Sequence, residues 1–170
     1  MNNDNTHPAV NVLFLCTHNS ARSILAEALL NHLGHGKFKG FSAGSSPRDN
    51  QKPNPLGLQV LDHAGVPTTG LHSKSWDEFA LPDAPKMDLI ITVCDNAAGE
   101  VCPYWPGQPA TAHWSYADPS AGDASDAEKL IAFRQTMLAI KRRIELFISL
   151  PPEKLQAVAL QTSARGLAQS

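Results

Sequence analysis

The sequence predicts an α/β domain: a central parallel sheet of about four strands flanked by helices in three layers. Three observations point there. Short runs rich in Val, Ile, Leu and Phe recur along the chain, apolar runs with helical spacing alternate with them, and Gly or Pro marks the joins. Strands that alternate with helices build βαβ units, and such units build parallel sheets.

Residues 10–15 (VNVLFL) read as a buried strand. Residues 20–33 place apolar side chains at 24, 25, 28, 29 and 33, one face of a helix, which Gly34 and Gly36 stop. Residues 37–43 (KFKGFSA) read as a second strand. A loop with Gly44, Pro47, Pro53 and Pro55 leads into a helix over 55–63, ended by Gly65 and Pro67. Ser75 suits the N-cap of a short helix through Phe79, because its hydroxyl accepts from the orphan amides of a first turn. Residues 87–94 (MDLIITVC) are the clearest strand, apolar almost throughout and so buried on both faces. Residues 110–116 form a weaker fourth strand. Ser125 opens a helix to about residue 150, with Asp126 and Glu128 early and Lys141, Arg142 and Arg143 late, an order that suits the helix dipole. Pro151 and Pro152 end it. One domain is expected over 8–150, followed by a tail over 151–170.

A net charge of −2 with no basic stripe leaves no surface for counterion exchange, so neither nucleic acid nor an anionic membrane is an expected partner. No apolar run approaches the roughly 20 residues of a bilayer span. Residues 1–9 (MNNDNTHPA) lack the cationic and apolar regions of a leader, so a cytoplasmic location is expected; separately, a monomer is expected. A chain of this size buries roughly 68–70% of its unfolded surface and needs no disulfide or metal for a core. The three cysteines are then either small buried hydrophobes or reduced thiols with chemistry.

Position separates the two. In open parallel sheets ligands bind beyond the carboxyl ends of the strands, where Cys16 and Cys94 both stand. Residues 16–23 (CTHNSARS) join the first strand to the first helix, whose free amides and dipole attract anions. Five residues separate Cys16 from Arg22. That spacing lets the backbone of Thr17, His18, Asn19, Ser20 and Ala21 wrap a tetrahedral oxyanion while Arg22 grips two of its oxygens. The same positive field favours the nucleophilic thiolate of Cys16. Ser20 and Ser23 are expected to donate to that sulfur and Asn19 to brace the loop. His18 either lines the mouth or is an exposed loop histidine. Cys-x5-Arg alone recurs by chance; behind a buried strand and ahead of a helix it is specific.

Transfer of an oxyanion to a thiolate needs a proton for the departing oxygen. Asp118 supplies a carboxyl in the loop after the fourth strand, held extended by Pro119. Cys94 and Cys102 enclose seven residues, too many for a zinc pair, and no second pair exists, so no metal is expected. A relay suits them better: Cys94 attacks Cys16, then Cys102 attacks Cys94, by thiol–disulfide exchange, with Gly99 letting the segment unwind. The alternative is a buried strand cysteine and an unrelated loop cysteine.

These residues resemble the low-molecular-weight protein tyrosine phosphatase superfamily and, within it, the bacterial arsenate reductases. The matches are CTHNSARS at 16–23, SAG at 42–44, PNP at 53–55, SK at 73–74, TVCD at 92–95, CP at 102–103 and HWSYADP at 113–119. Phosphatases of this fold carry tyrosines just after the Asp-Pro; here Ser120 and Ala121 follow, which removes the stacking wall for an aryl substrate. The resemblance implies reduction of arsenate to arsenite for detoxification, with phosphate and sulfate as substrate analogues. It implies no bound redox cofactor. The required external thiol donor is thioredoxin or, since relatives using thioredoxin space the second pair by six residues, glutaredoxin with glutathione. Some relatives hold a potassium ion through residues matching Asn19, Glu27 and Ser42 and a further carboxylate. Lys74 takes the place of that carboxylate here, and its ammonium stands in for the cation. A phosphatase using Cys16, Arg22 and Asp118 alone is the rival reading.

Overall fold

The computed structural model describes residues 9–103, 105 and 109–151. Four strands, β1 (Val10–Cys16), β2 (Phe38–Gly44), β3 (Leu89–Thr92) and β4 (Ala110–His113), form one parallel sheet in the order β2-β1-β3-β4. Three helices accompany it: α1 (Arg22–Leu33), α2 (Pro55–His63) and α3 (Asp126–Ile148). From β1 the chain moves outward to β2, then passes back over β1 to β3. The crossovers therefore diverge above the carboxyl ends of β1 and β3, the crevice where such sheets bind ligands.

Period-two alternation along β1 divides the core. Val12, Phe14 and Cys16 join the large cluster beneath the helices, while Leu13 and Leu15 face the opposite side. On α3, Phe133, Met137, Ile140, Ile144 and Phe147 are buried at alternating steps of four and three, a stripe that packs on α1 and α2. Each fully buried Leu, Ile or Phe contributes about 1.5–3 kcal/mol. The helical face therefore holds most of the apolar stabilisation. The other buried set is only Leu13, Leu15, Ala43 and Ile90, covered by Phe41, Met87, Trp105 and the 3-10 helix Trp76–Ala80. The flanking layers are thus unequal.

The helix ends follow from the sequence. Ser125 caps α3 in a reciprocal box with Glu128, whose amide donates to the Ser125 hydroxyl at 3.2 Å. Asn54 caps α2 by accepting from Leu56 at 2.9 Å, with Pro55 in the first turn where its missing N–H costs nothing. Two expected strands are shorter than their apolar runs. The β3–β4 ladder spans four pairs, Leu89↔Ala110 to Thr92↔His113, yet Val93, Cys94 and Trp114 beyond it remain fully buried. Hydrophobic content tracked burial there, not the ladder. Helix α1 starts at Arg22, two residues after the expected onset, because residues 17–21 form the loop. Most of the expected tail, 152–170, lies outside the described residues. No described helix is long and apolar enough to cross a membrane.

Candidate active site

The segment from Cys16 to Ser23 is folded around the Cys16 sulfur. The Asn19 amide donates to Cys16 Sγ at 3.1 Å, and Ser23 Oγ lies 2.8 Å from the same sulfur. Asn19 Nδ2 donates to Ser23 Oγ at 2.8 Å, which leaves the hydroxyl proton of Ser23 free to point at sulfur. Both contacts suit a thiolate. Asn19 takes the left-handed conformation, φ 58°, and is fully buried; its Oδ1 accepts from the Lys74 amide at 2.9 Å. The loop also rests on β2. Ser45 and Ser46 amides donate to the carbonyls of Cys16 and Thr17 at 3.1 and 2.8 Å. A Cβ at Gly44 would stand 2.6 Å from the Thr17 carbonyl oxygen, so only glycine fits under the loop.

Behind it, Lys74 Nζ donates to the Ser42 carbonyl at 3.1 Å and lies 3.9 Å from Glu27 Oε1, which the Ser42 hydroxyl also reaches. The ammonium thus sits with Ser42 and Glu27, while Asn19 holds the backbone amide of the same lysine. Burial pushes the Glu27 carboxyl up against the opposing pull of Ser42 and Lys74, and burial pulls Lys74 down.

Arg22 does not reach back to its own loop in this state. Its Nη2 donates to Glu100 Oε1 at 2.6 Å, and its Nη1 donates to Glu100 Oε2 and to the Tyr116 carbonyl, both at 2.9 Å. Burial alone would lower the Arg22 guanidinium, but the bonded Glu100 outweighs it and the net direction is up. Arg22 Nε is buried with no partner among the described residues. Sequence reading missed Glu100. The signal was available: a buried arginine must be paired, and Glu100 is an acidic residue inside the Cys94–Cys102 segment.

Cys16, Arg22, Asp95, Glu100 and Asp118 line one open cavity of about 910 Å³. Asp118 is on the expected edge, with Oδ1 accepting from the Ser120 amide and hydroxyl at 2.9 and 2.7 Å. Ser120 and Ala121 line the wall as well. His18 lies at the mouth with Nδ1 donating to the Ser46 carbonyl at 2.9 Å. No described bond joins Ser20 to the Cys16 sulfur; the Ser20 carbonyl accepts from the Asn54 amide at 2.8 Å instead.

Cys94 and Cys102 are joined as a disulfide, and Cys16 is free. Cys94 is fully buried, whereas Cys102 is partly exposed. Cys102 Sγ lies 3.0 Å from Asn96 Oδ1, a contact that becomes a hydrogen bond once that sulfur carries a proton. His113 comes within 4.8 Å of both sulfurs, and burial holds its imidazole below the usual value against the pull of Thr92 and Asp95.

A free sulfur held by a loop amide and a serine hydroxyl at a strand-to-helix junction, with a sulfur pair at the neighbouring strand end, defines a class: thiol enzymes built on a phosphatase-like loop. The chain belongs to the Low molecular weight phosphotyrosine protein phosphatase family, whose model matches residues 11–160. Its relatives place it with the arsenate reductases of that family. It is 32% identical to an arsenate reductase of Halalkalibacterium halodurans over 136 residues, 80% of this chain and 93% of the other. It is 28% identical to the glutaredoxin arsenate reductase of Synechocystis sp., over 81% of this chain and 95% of that one. Its fold matches a thioredoxin-dependent arsenate reductase of Corynebacterium glutamicum with a TM-score of 0.54 and 28% identity, over 83% of this chain and 64% of that one.

Proposed function

We propose that this protein reduces arsenate to arsenite, for arsenic detoxification, through Cys16 and a disulfide relay that ends on Cys94 and Cys102. The observation that carries the reading is the closed Cys94–Cys102 bond beside a free Cys16, the state such a relay leaves behind. The Cys16 thiolate attacks arsenate; Asp118 protonates the departing oxygen, which leaves as water, and a sulfur–arsenic(V) bond forms. Loop amides and Arg22 hold the charge. The Cys94 thiolate then attacks Cys16. The sulfur–arsenic bond breaks, its electron pair reduces arsenic to the trivalent state, and arsenite departs. Finally the Cys102 thiolate attacks Cys94 and frees Cys16.

Register supports the reach required. Leu15 pairs with Thr92, so Cys16 and Cys94 stand one and two residues beyond a paired position on neighbouring strands. Such strands run about 4.8 Å apart.

No metal or bound redox cofactor enters this scheme. A thiol partner, thioredoxin or glutaredoxin with glutathione, supplies the electrons, and the names of relatives support both. We place the protein, as a monomer, in the cytoplasm, where those donors work. The phosphatase alternative has less support, since Ser120 and Ala121 occupy the wall where an aryl ring would stack.

Arsenate added to the fully reduced protein should consume two thiols per chain and release arsenite. Cys102→Ser should stop after about one arsenite per chain. Unchanged thiols, or a variant that keeps full multiple turnover, would defeat the reductase reading.

A further inference from the structure

Glu100 lies within the ring closed by the Cys94–Cys102 disulfide, and its carboxylate engages both terminal nitrogens of Arg22, at 2.6 and 2.9 Å. The Asp95 amide donates to Glu100 Oε2 at 3.2 Å, and the Thr17 hydroxyl donates to the Val101 carbonyl at 3.4 Å. The first bond holds the Glu100 carboxylate within its own segment, and the second ties that segment to the loop beside the ion pair. Those two nitrogens form the fork with which arginine grips two oxygens of a tetrahedral anion. A carboxylate seated in the fork resembles the substrate. A dianion arriving at the loop meets an arginine whose charge Glu100 already offsets and whose fork it already fills.

The ring itself aims Glu100. Cys94 and Cys102 are eight positions apart, and Gly99, directly before Glu100, is left-handed at φ 80°. Opening the ring restores freedom to that segment.

We propose that Glu100 makes oxyanion binding conditional on the redox state of the Cys94–Cys102 pair. With the bond closed, Glu100 occupies Arg22 and excludes the oxyanion. An external dithiol then reduces the pair: the Cys94–Cys102 bond breaks, each sulfur takes a proton, and the donor's two sulfurs join. Glu100 withdraws and Arg22 turns to the loop. An enzyme that has released its product therefore takes no new oxyanion until it has been reduced. By reciprocity, an oxyanion on the loop makes the pair easier to reduce. The inference rests on the relay reading, but its test needs no arsenate.

Inorganic phosphate is titrated calorimetrically against the full chain, disulfide-closed and dithiol-reduced, as wild type, Glu100→Gln and Glu100→Ala. Wild type should bind phosphate at least about tenfold more tightly when reduced, and both variants should close that gap by tightening the oxidised form. Saturating phosphate should raise the midpoint potential of the wild-type pair correspondingly, about 30 mV per tenfold for a two-electron couple. It should leave the potential of the variants unmoved. Equal wild-type affinities in the two states overturn the proposal, as does a gap that survives both substitutions. Variants that bind more weakly in both states would assign Glu100 to holding Arg22 in place, which also overturns it. A gap of the expected kind in a protein that fails to convert arsenate would sink the proposed function and leave this inference standing.

Discussion

The loop at 16–23 and the segment at 94–102 stand on neighbouring strand ends and are held in opposite ways. The first is fixed from inside. Asn19 and Ser23 are fully buried, and Asn19 bonds to the sulfur, to Ser23 and to Lys74. The second is held mainly from its surface, by one covalent bond, one ion pair and hydrogen bonds such as Thr17 to Val101 and Ser115 to Asp95; its short 3-10 turn Asn96–Ala98 buries nothing, and Val101 is 84% exposed. The contrast matches two demands. Stabilising charge on an oxyanion requires donors already in place. Passing an oxidation outward requires a segment that opens at low cost, which few buried contacts provide.

The sharpest way to break the comparison is Cys16→Ser. It should bring arsenate-driven oxidation of Cys94 and Cys102 to background while leaving reduction of their disulfide by a dithiol unchanged. Stopped-flow thiol assays would show both. Oxidation of the pair by arsenate without Cys16 would mean that the second region acts alone. Asp118→Asn comes next: it should slow the arsenate-dependent step by about 10²–10⁴-fold through loss of the proton donor, again without altering disulfide reduction.

Stability should separate the regions too. Asn19→Ala strands the Ser23 and Lys74 partners and puts a Cβ residue without a local hydrogen bond at φ 58°. The unmade bonds alone should cost about 1–3 kcal/mol in urea unfolding. Asn96→Ala, in the exposed turn, should stay within roughly 0.5 kcal/mol. Similar losses at both positions would erase the distinction.

Much of this was legible in the sequence for local reasons. A short apolar run set β1, helical spacing set α1, and Ser125 with acidic residues early and basic residues late set α3. The loop was legible because its parts are contiguous: Cys16, Asn19, Arg22 and Ser23 span eight residues. Lys74 was placed through the resemblance, and its ammonium indeed sits with Ser42 and Glu27. Glu100 was not placed, because its partner is 78 positions away: that a buried Arg22 needs a carboxylate was legible, but not which one answers it. The uneven layers were hidden as well. A strand buried on both faces looks the same in sequence whether a helix or two tryptophans cover it, as Trp76 and Trp105 do here, edge to face at 5.8 Å.

The smallest effect distinguishes the regions by sign. Burial alone would raise the Glu100 carboxyl, but the Arg22 bonds outweigh it, so its value in the oxidised fold lies below that of the unfolded chain. The stabilisation from this pair is then fully present above the unfolded value, about 4.3, and is lost as pH falls through the folded one. For a partly exposed pair it should amount to about 0.2–1 kcal/mol. Glu27 runs the other way: burial raises its folded value, so its contribution is complete below the unfolded value and fades as pH rises through the folded one. In urea unfolding of the disulfide-closed protein, the difference between wild type and Glu100→Gln should therefore be largest near neutral pH and vanish in acid. The difference for Glu27→Gln should move in wild type's favour as pH falls. Reduction should erase the Glu100 dependence and spare the Glu27 one, because only the segment at 94–102 is fastened by a bond that a dithiol can open. A Glu100 dependence unchanged by reduction would mean that the ion pair belongs to the fixed region after all.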